Sequence, residues 1–118
     1  MSEHAKGRQI TNIYDAKFRV YDMEGPKQED MEWLPLTYND DANGCYAIRM
    51  QAGAETIWHE HRGMEDFLIL EGDLIEPDGT KLGPGDFVSY PPGSQHNSRS
   101  ETGCFLIGFD WGKPKQSG

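Results

Sequence analysis

No stretch of the 118-residue chain approaches the ~18 consecutive apolar residues that a membrane-spanning helix needs. The opening residues, Met1 to Ile10, are polar and lack the apolar core of a secretory leader. A soluble, cytoplasmic protein with no membrane partner is therefore expected. Basic residues are scarce as well: 11 Lys and Arg face 20 Asp and Glu, for a net charge of -9. That balance repels phosphate backbones, so no nucleic acid partner is expected. Only two cysteines are present, Cys45 and Cys104, far apart and outside any C-x-x-C spacing. In a reducing compartment they are expected to be small core residues rather than a disulfide or a ligand pair. Missing, finally, is any segment whose apolar spacing competes convincingly as a helix.

What the chain does have is punctuation. Fourteen Gly and seven Pro are scattered singly and in pairs, the pattern of many short strands separated by turns. Strand-like segments begin with Phe18 to Tyr21, Trp33 to Leu36, Cys45 to Met50 and Thr56 to His61. Asp66 to Leu70, apolar enough for a core strand, follows; then come Leu74-Ile75, Thr80 to Leu82, Phe87 to Tyr90, Gln95 to Ser98 and Cys104 to Trp111. Turns such as Asn39 to Gly44 and Pro77-Asp78-Gly79 separate them. This implies one all-β domain over 1–118, a sandwich or barrel: a packing arm and strand over 1–30, the barrel over 31–112 and a tail over 113–118. A hydrophobic share of 36% builds one modest core, and a homodimer is the expected assembly.

The chain contains four histidines, and three of them fall into one pattern with a carboxylate. Side chains alternate along a strand, so His59 and His61 point the same way while Glu60 points away. Glu65 follows the Arg62-Gly63 bend, which can turn a carboxylate into the same space; Phe67 and Ile69 would line it. His96, from a later hairpin, completes a set of three imidazoles and one carboxylate suited to a single divalent ion: Fe(II) first, with Zn, Mn, Ni or Co also accepted. If the bend carried Glu65 away, a three-histidine centre would remain. Arg49, in an apolar-leaning strand, is a candidate clamp for a substrate carboxylate or enolate. Arg62 is a weaker one. Phe67, Tyr90 and Trp111 are candidates for the pocket wall, although aromatic residues in a small barrel are core by default. Trp58 has the wrong parity for the ligand face and is expected outside the barrel or at a subunit interface.

Gly53-x5-His59-x-His61-x3-Glu65-x6-Gly72 and Gly85-x5-Pro91-x-Gly93-x2-His96 resemble the two signatures of the cupins. Within that superfamily the chain is most similar to the ChrR-like cupins, on Gly103-Cys104 and the overall spacing. The resemblance runs from about Trp33 to Trp111 and implies a double-stranded β-helix, the jelly-roll cupin barrel. It also implies that His59, His61, Glu65 and His96 hold a metal and carry any catalysis, with Gly53, Gly72, Gly85 and Gly93 serving turns. The second signature often ends in Asn where this chain has Ser100, a position that is not a ligand in the family. The resemblance implies a mononuclear dioxygenase acting on a small diketone- or enolate-like molecule. Two alternatives are a ChrR-type sensing or binding module and a metal-dependent isomerase or lyase. The residues before Trp33 are too few and too poor in His and Cys for the sigma-binding zinc segment of ChrR-type proteins, which argues against a direct anti-sigma role.

Overall fold

The structure is a computed structural model that describes residues 6–112. The expected tail over 113–118 and His4 lie outside the described residues. Ten strands succeed one another, and no helix occurs among the described residues. They are β1 (Arg19–Tyr21), β2 (Gln28–Pro35), β3 (Asn43–Met50), β4 (His59–Glu60), β5 (Glu65–Gly72), β6 (Leu74–Ile75), β7 (Lys81–Leu82), β8 (Phe87–Tyr90), β9 (Gln95–His96) and β10 (Cys104–Trp111). The large sheet runs β1-β2-β3-β10-β5-β8, every pairing antiparallel. Facing it are two short ladders, β4-β9 and β6-β7, stitched together by bridges from Arg99 to Glu55 and to Ile75. This is the all-β jelly roll of the cupins.

The core lies between the two layers and is supplied by alternate residues of the long strands: Tyr46, Ile48 and Met50 from β3, Phe67 and Ile69 from β5, and Cys104 and Leu106 from β10. Such alternation is what a sheet with one buried face requires. Burial pushes the Cys104 thiol up to about 12, so it stays protonated and acts as a small apolar side chain. The outer face of the large sheet is covered at one end by the N-terminal arm. Tyr14 and Phe18 pack on Phe105 with ring centroids 5.4 and 6.1 Å away.

That same packing accounts for Arg49. Its guanidinium lies 4.5 Å from the Phe18 ring and 4.6 Å from the Phe105 ring, and it donates to Glu32 Oε1 at 2.9 Å. The expected substrate clamp is corrected here: Arg49 points to the outer face and fastens the arm through cation–π contacts. Register decides this, because Arg49 pairs with Phe105 and Glu32 across its two neighbouring strands and shares their face.

The turn glycines Gly53, Gly72, Gly85 and Gly93 all adopt left-handed φ, the region that penalises a Cβ. Ser100, the departure from the family pattern, is buried and structural. Its hydroxyl donates to Asp73 Oδ1 (3.0 Å) and accepts from the Gly103 N–H (2.9 Å). Asp73 also accepts from the Thr102 hydroxyl and from the N–H groups of Glu101 and Thr102, closing the loop into β10.

Desolvation alone would raise the Asp73 pKa, but these bonds outweigh it and hold the carboxyl at about 2 against an ordinary 3.8. A depressed folded-state value stabilises the fold above the ordinary pKa, and the contribution is lost as pH falls towards 2. Asp73→Ala is expected to cost about 2–3 kcal/mol at neutral pH, the range for charge-assisted hydrogen bonds. Urea unfolding of both proteins at pH 7 and pH 3 checks this: the gap between them should narrow at the lower pH.

Candidate metal centre

Each histidine of the centre is aimed by the bond its Nδ1 makes. His59 Nδ1 donates to the Ile57 carbonyl at 2.7 Å, a group that can only accept. His61 Nδ1 meets Ser94 Oγ at 3.0 Å, and that hydroxyl already donates to the Pro91 carbonyl at 2.7 Å, so it must accept from the ring. His96 Nδ1 donates to Glu76 Oε2 at 3.1 Å. All three Nδ1 atoms therefore carry protons, which leaves the three Nε2 atoms as the ligand positions of the neutral rings.

Those lone pairs converge. His59 and His96 are direct cross-strand partners in the β4-β9 ladder. His61 follows β4, tied to the opposite loop by its N–H to the Ser94 carbonyl (2.9 Å) and its carbonyl to the Gly93 N–H (2.8 Å). Its Nε2 lies 3.2 Å from His59 Nε2 and 2.9 Å from Glu65 Oε1. One donor atom from each of His59, His61, Glu65 and His96 falls within 4.8 Å of all the others. Two lone pairs facing each other at 3.2 Å repel unless a cation lies between them. His96 Nε2 and Glu65 Oε1 are in addition buried without a hydrogen-bond partner, and an unpaired buried polar atom costs free energy. These residues fit a divalent metal ion: the donor set is mixed nitrogen and oxygen, and its inner atoms lack any other partner.

Glu65 reaches the centre as the first residue of β5, by way of the expected bend. Gly63 lies flat against Gly112, and a Cβ there would run into the Gly112 carbonyl oxygen. The Trp111 N–H then donates to the Met64 carbonyl at 3.0 Å, which fixes the approach. Burial would raise the Glu65 pKa, but the His61 and His96 rings beside it outweigh that and hold the carboxyl well below the usual range. Across the ladder from Glu65 stands Asp110, whose Oδ1 accepts from the Tyr46 hydroxyl at 3.2 Å. Burial, and then the neighbouring Glu65 charge, push Asp110 up to about 9. At neutral pH this pair therefore carries one negative charge.

Among the expected wall residues, Phe67 lines the cavity above the centre. Tyr90 sits behind the histidines instead: its ring packs on His96 at 4.3 Å and its hydroxyl donates to Glu76. It is a support for the ligands and not part of the wall, a correction that follows from Glu76 occupying its polar end. Trp111, Trp58 and Arg62 border the cavity. Trp58, expected away from the ligand face, stands half-exposed at the border of the cavity. The cavity is open on one side and has a volume of about 940 Å³.

Several polar residues at the site had no sequence signal. Glu76 accepts from His96, Ser98 and Tyr90, yet in the sequence it is one acid before a turn. The arm, expected only to pack, contributes Tyr21 and Glu24 to the cavity. The Tyr21 hydroxyl donates to Glu24 Oε1 at 2.7 Å, and that oxygen stands 3.7 Å from His59 Nδ1. Burial is the main reason the Glu24 pKa is raised.

A carboxylate behind a ligand imidazole fixes its orientation and its basicity. Glu76→Gln is expected to weaken metal affinity by about 10–100-fold while leaving the fold intact. Competition with a chromogenic chelator measures this, and an unchanged affinity would remove Glu76 from the centre's support.

Residues 17–112 match the sequence model of the ChrR Cupin-like domain. A curated relative, dimethylsulfoniopropionate lyase DddQ from Ruegeria pomeroyi, is 32% identical over 78 residues; the match takes in 63% of this chain and 39% of the length of that protein. An RmlC-like cupin from Ralstonia eutropha superposes with a TM-score of 0.73 at 14% identity, covering 95% of this chain and 73% of the other. Acetylacetone dioxygenase from Acinetobacter johnsonii gives a TM-score of 0.69 at 14% identity, covering 86% and 73%. At such identities the structural likeness speaks for the fold, and the sequence match for the family. By its two signatures, its barrel and the match across 17–112, the chain belongs to the ChrR Cupin-like domain family.

Proposed function

We propose that the protein is a mononuclear metal-dependent dioxygenase acting on a small, oxygen-bearing substrate of the diketone or enolate type. The observation that carries this reading is the convergence of three bare Nε2 atoms and one carboxylate on the floor of an open cavity. A divalent ion bound there, with Fe(II) the first choice, supplies Lewis acidity and reactivity towards dioxygen. Three neutral imidazoles and one carboxylate leave that ion a formal charge of +1, which favours an anionic chelating substrate.

The chain's own groups do the rest. Ile57, Ser94 and Glu76 hold the three rings so that the donor set needs no rearrangement when substrate arrives. Phe67, Leu106, Ile48 and Met31 form an apolar wall that keeps water from a bound enolate. Asp110, whose carboxyl is pushed up by burial and by Glu65, stands across the ladder from Glu65 and can share a proton with it. Acetylacetone dioxygenase, which has the same fold, shows that such a barrel can house chemistry on a diketone.

A second reading, a lyase or isomerase that needs no oxygen, has one specific observation in its favour. The Tyr21–Glu24 pair and Asp110 place proton-transferring groups on the cavity wall, where general acid–base chemistry would use them. The sequence relative named as a lyase points the same way.

Oxygen consumption separates the two. Protein loaded anaerobically with Fe(II) and then given acetylacetone or a related β-diketone in air is expected to take up dioxygen in step with substrate loss. His61→Ala should lower the rate by at least about 100-fold, since it removes one of the four ligands outright. Absence of uptake across the diketone panel would sink the dioxygenase reading. Equal product with and without oxygen would transfer the site to the second one.

A further inference from the structure

Four large apolar side chains gather where the cavity opens to water. Ile57, Trp58, Met64 and Trp111 are 38%, 55%, 42% and 54% exposed, and all four line the cavity. An isolated exposed apolar residue needs no explanation, but a group around the mouth of a site does. The two indoles are also held in position. Trp58 Nε1 donates to Gln95 Oε1 at 3.4 Å, and Trp111 Nε1 donates to Asp66 Oδ2 at 2.8 Å. Trp111 packs against Phe109 with centroids 4.5 Å apart and the rings tilted by 45°, and its backbone N–H is tied to the Met64 carbonyl. Rings fixed in this way can receive a flat partner at little further cost in side-chain entropy.

The rim is continuous with the ligand set. Trp58 directly precedes His59, and Met64 directly precedes Glu65, so the rim side chains are carried on the same short segments as the ligands. The cavity volume of about 940 Å³ lies near the upper end of the ~300–1,000 Å³ typical of drug-sized ligand sites. A bare diketone leaves most of that space empty. Resting on the reading of the floor as an oxygen-chelating metal centre, we infer that Ile57, Trp58, Met64 and Trp111 form a specificity surface for the flat, apolar tail of an amphipathic substrate. The substrate class is then a chelating oxygen head carrying an aryl or similarly planar tail.

Zinc-loaded protein, which binds chelators without turnover, allows the test by calorimetric titration with acetylacetone and with its phenyl analogue, benzoylacetone. Wild-type protein is expected to bind the phenyl compound at least about tenfold more tightly, from burial of the extra apolar area. Trp58→Ala and Trp111→Ala should each erase most of that gain, leaving acetylacetone affinity and zinc content unchanged. Trp111→Phe, which keeps a ring and guards against a folding defect, should retain part of it. Equal affinities in the wild type, or a preference that survives both alanine variants, would overturn the inference while leaving the chelating centre intact. If neither compound binds, the chelation reading fails and takes this inference with it. Sedimentation of the same samples reports on a competing occupant: a dimer that dissociates in the tryptophan variants, with the tail preference unchanged, would assign the rim to a second copy of the chain and overturn the proposal.

Discussion

The constraint on which the structure turns is the crowding of like groups at the barrel floor. Three imidazole nitrogens and one carboxylate oxygen lie within 4.8 Å of one another, and in the protein alone the facing imidazole lone pairs gain nothing from one another. Hydrogen bonds facing outward hold them there: Ile57 behind His59, Ser94 behind His61, Glu76 behind His96. Each of these partners is fixed in turn. Ser94 donates to the turn carbonyl of Pro91, while Glu76 is gripped by Tyr90 and Ser98. The large sheet makes such pre-organisation affordable, since its long ladders fix the barrel without help from the short β4-β9 ladder that carries two of the histidines. Such a site would be assembled before an ion arrives, and an ion there would relieve it.

The ligand set was legible in the sequence because it is local. His59 and His61 share a face by strand parity alone. Glu65 lies just beyond a glycine bend whose need is now visible in the contact between Gly63 and Gly112. His96 entered through a turn signature and through the family resemblance. The strand count was legible too, since turn chemistry marks boundaries more firmly than apolar periodicity marks interiors. The Thr56 to His61 strand was too generous, however. Only His59–Glu60 is laddered, because the segment before it is held by single contacts such as Thr56 N–H to the Ser98 carbonyl.

What stayed hidden depends on register between strands far apart in the chain. Arg49 looks like a clamp until its cross-strand neighbours, Glu32 and Phe105, are known. Parity placed Trp58 away from the ligands, but parity holds only within a strand, and Trp58 precedes β4. Glu76, Tyr21 and Glu24 carry no motif at all. Their roles come from long-range pairings, over 20 residues for Glu76 with His96, that no local pattern encodes. Tyr90 was rightly drawn to the site and wrongly placed within it. An aromatic residue beside a histidine can form a wall or a support, and only the acceptor for its hydroxyl decides which.

A net charge of -9 opposes the approach of an anionic chelator. Net charge sets the far field, which salt screens over roughly 8 Å; within the cavity the local count matters. Glu65 keeps its charge, and the three imidazoles that surround it are neutral as ligands. Asp110, directly across the ladder, gives up its own charge because burial and Glu65 together make ionisation too costly. A raised Asp110 pKa thus spares the centre a further negative charge beside Glu65, so that a divalent ion with its four ligands would carry a formal charge of +1 where substrate oxygens would bind. The acids at the mouth and on the outer surface then act mainly on the rate of approach, whereas the sign of the potential at the floor is set by Glu65, Asp110 and the ion.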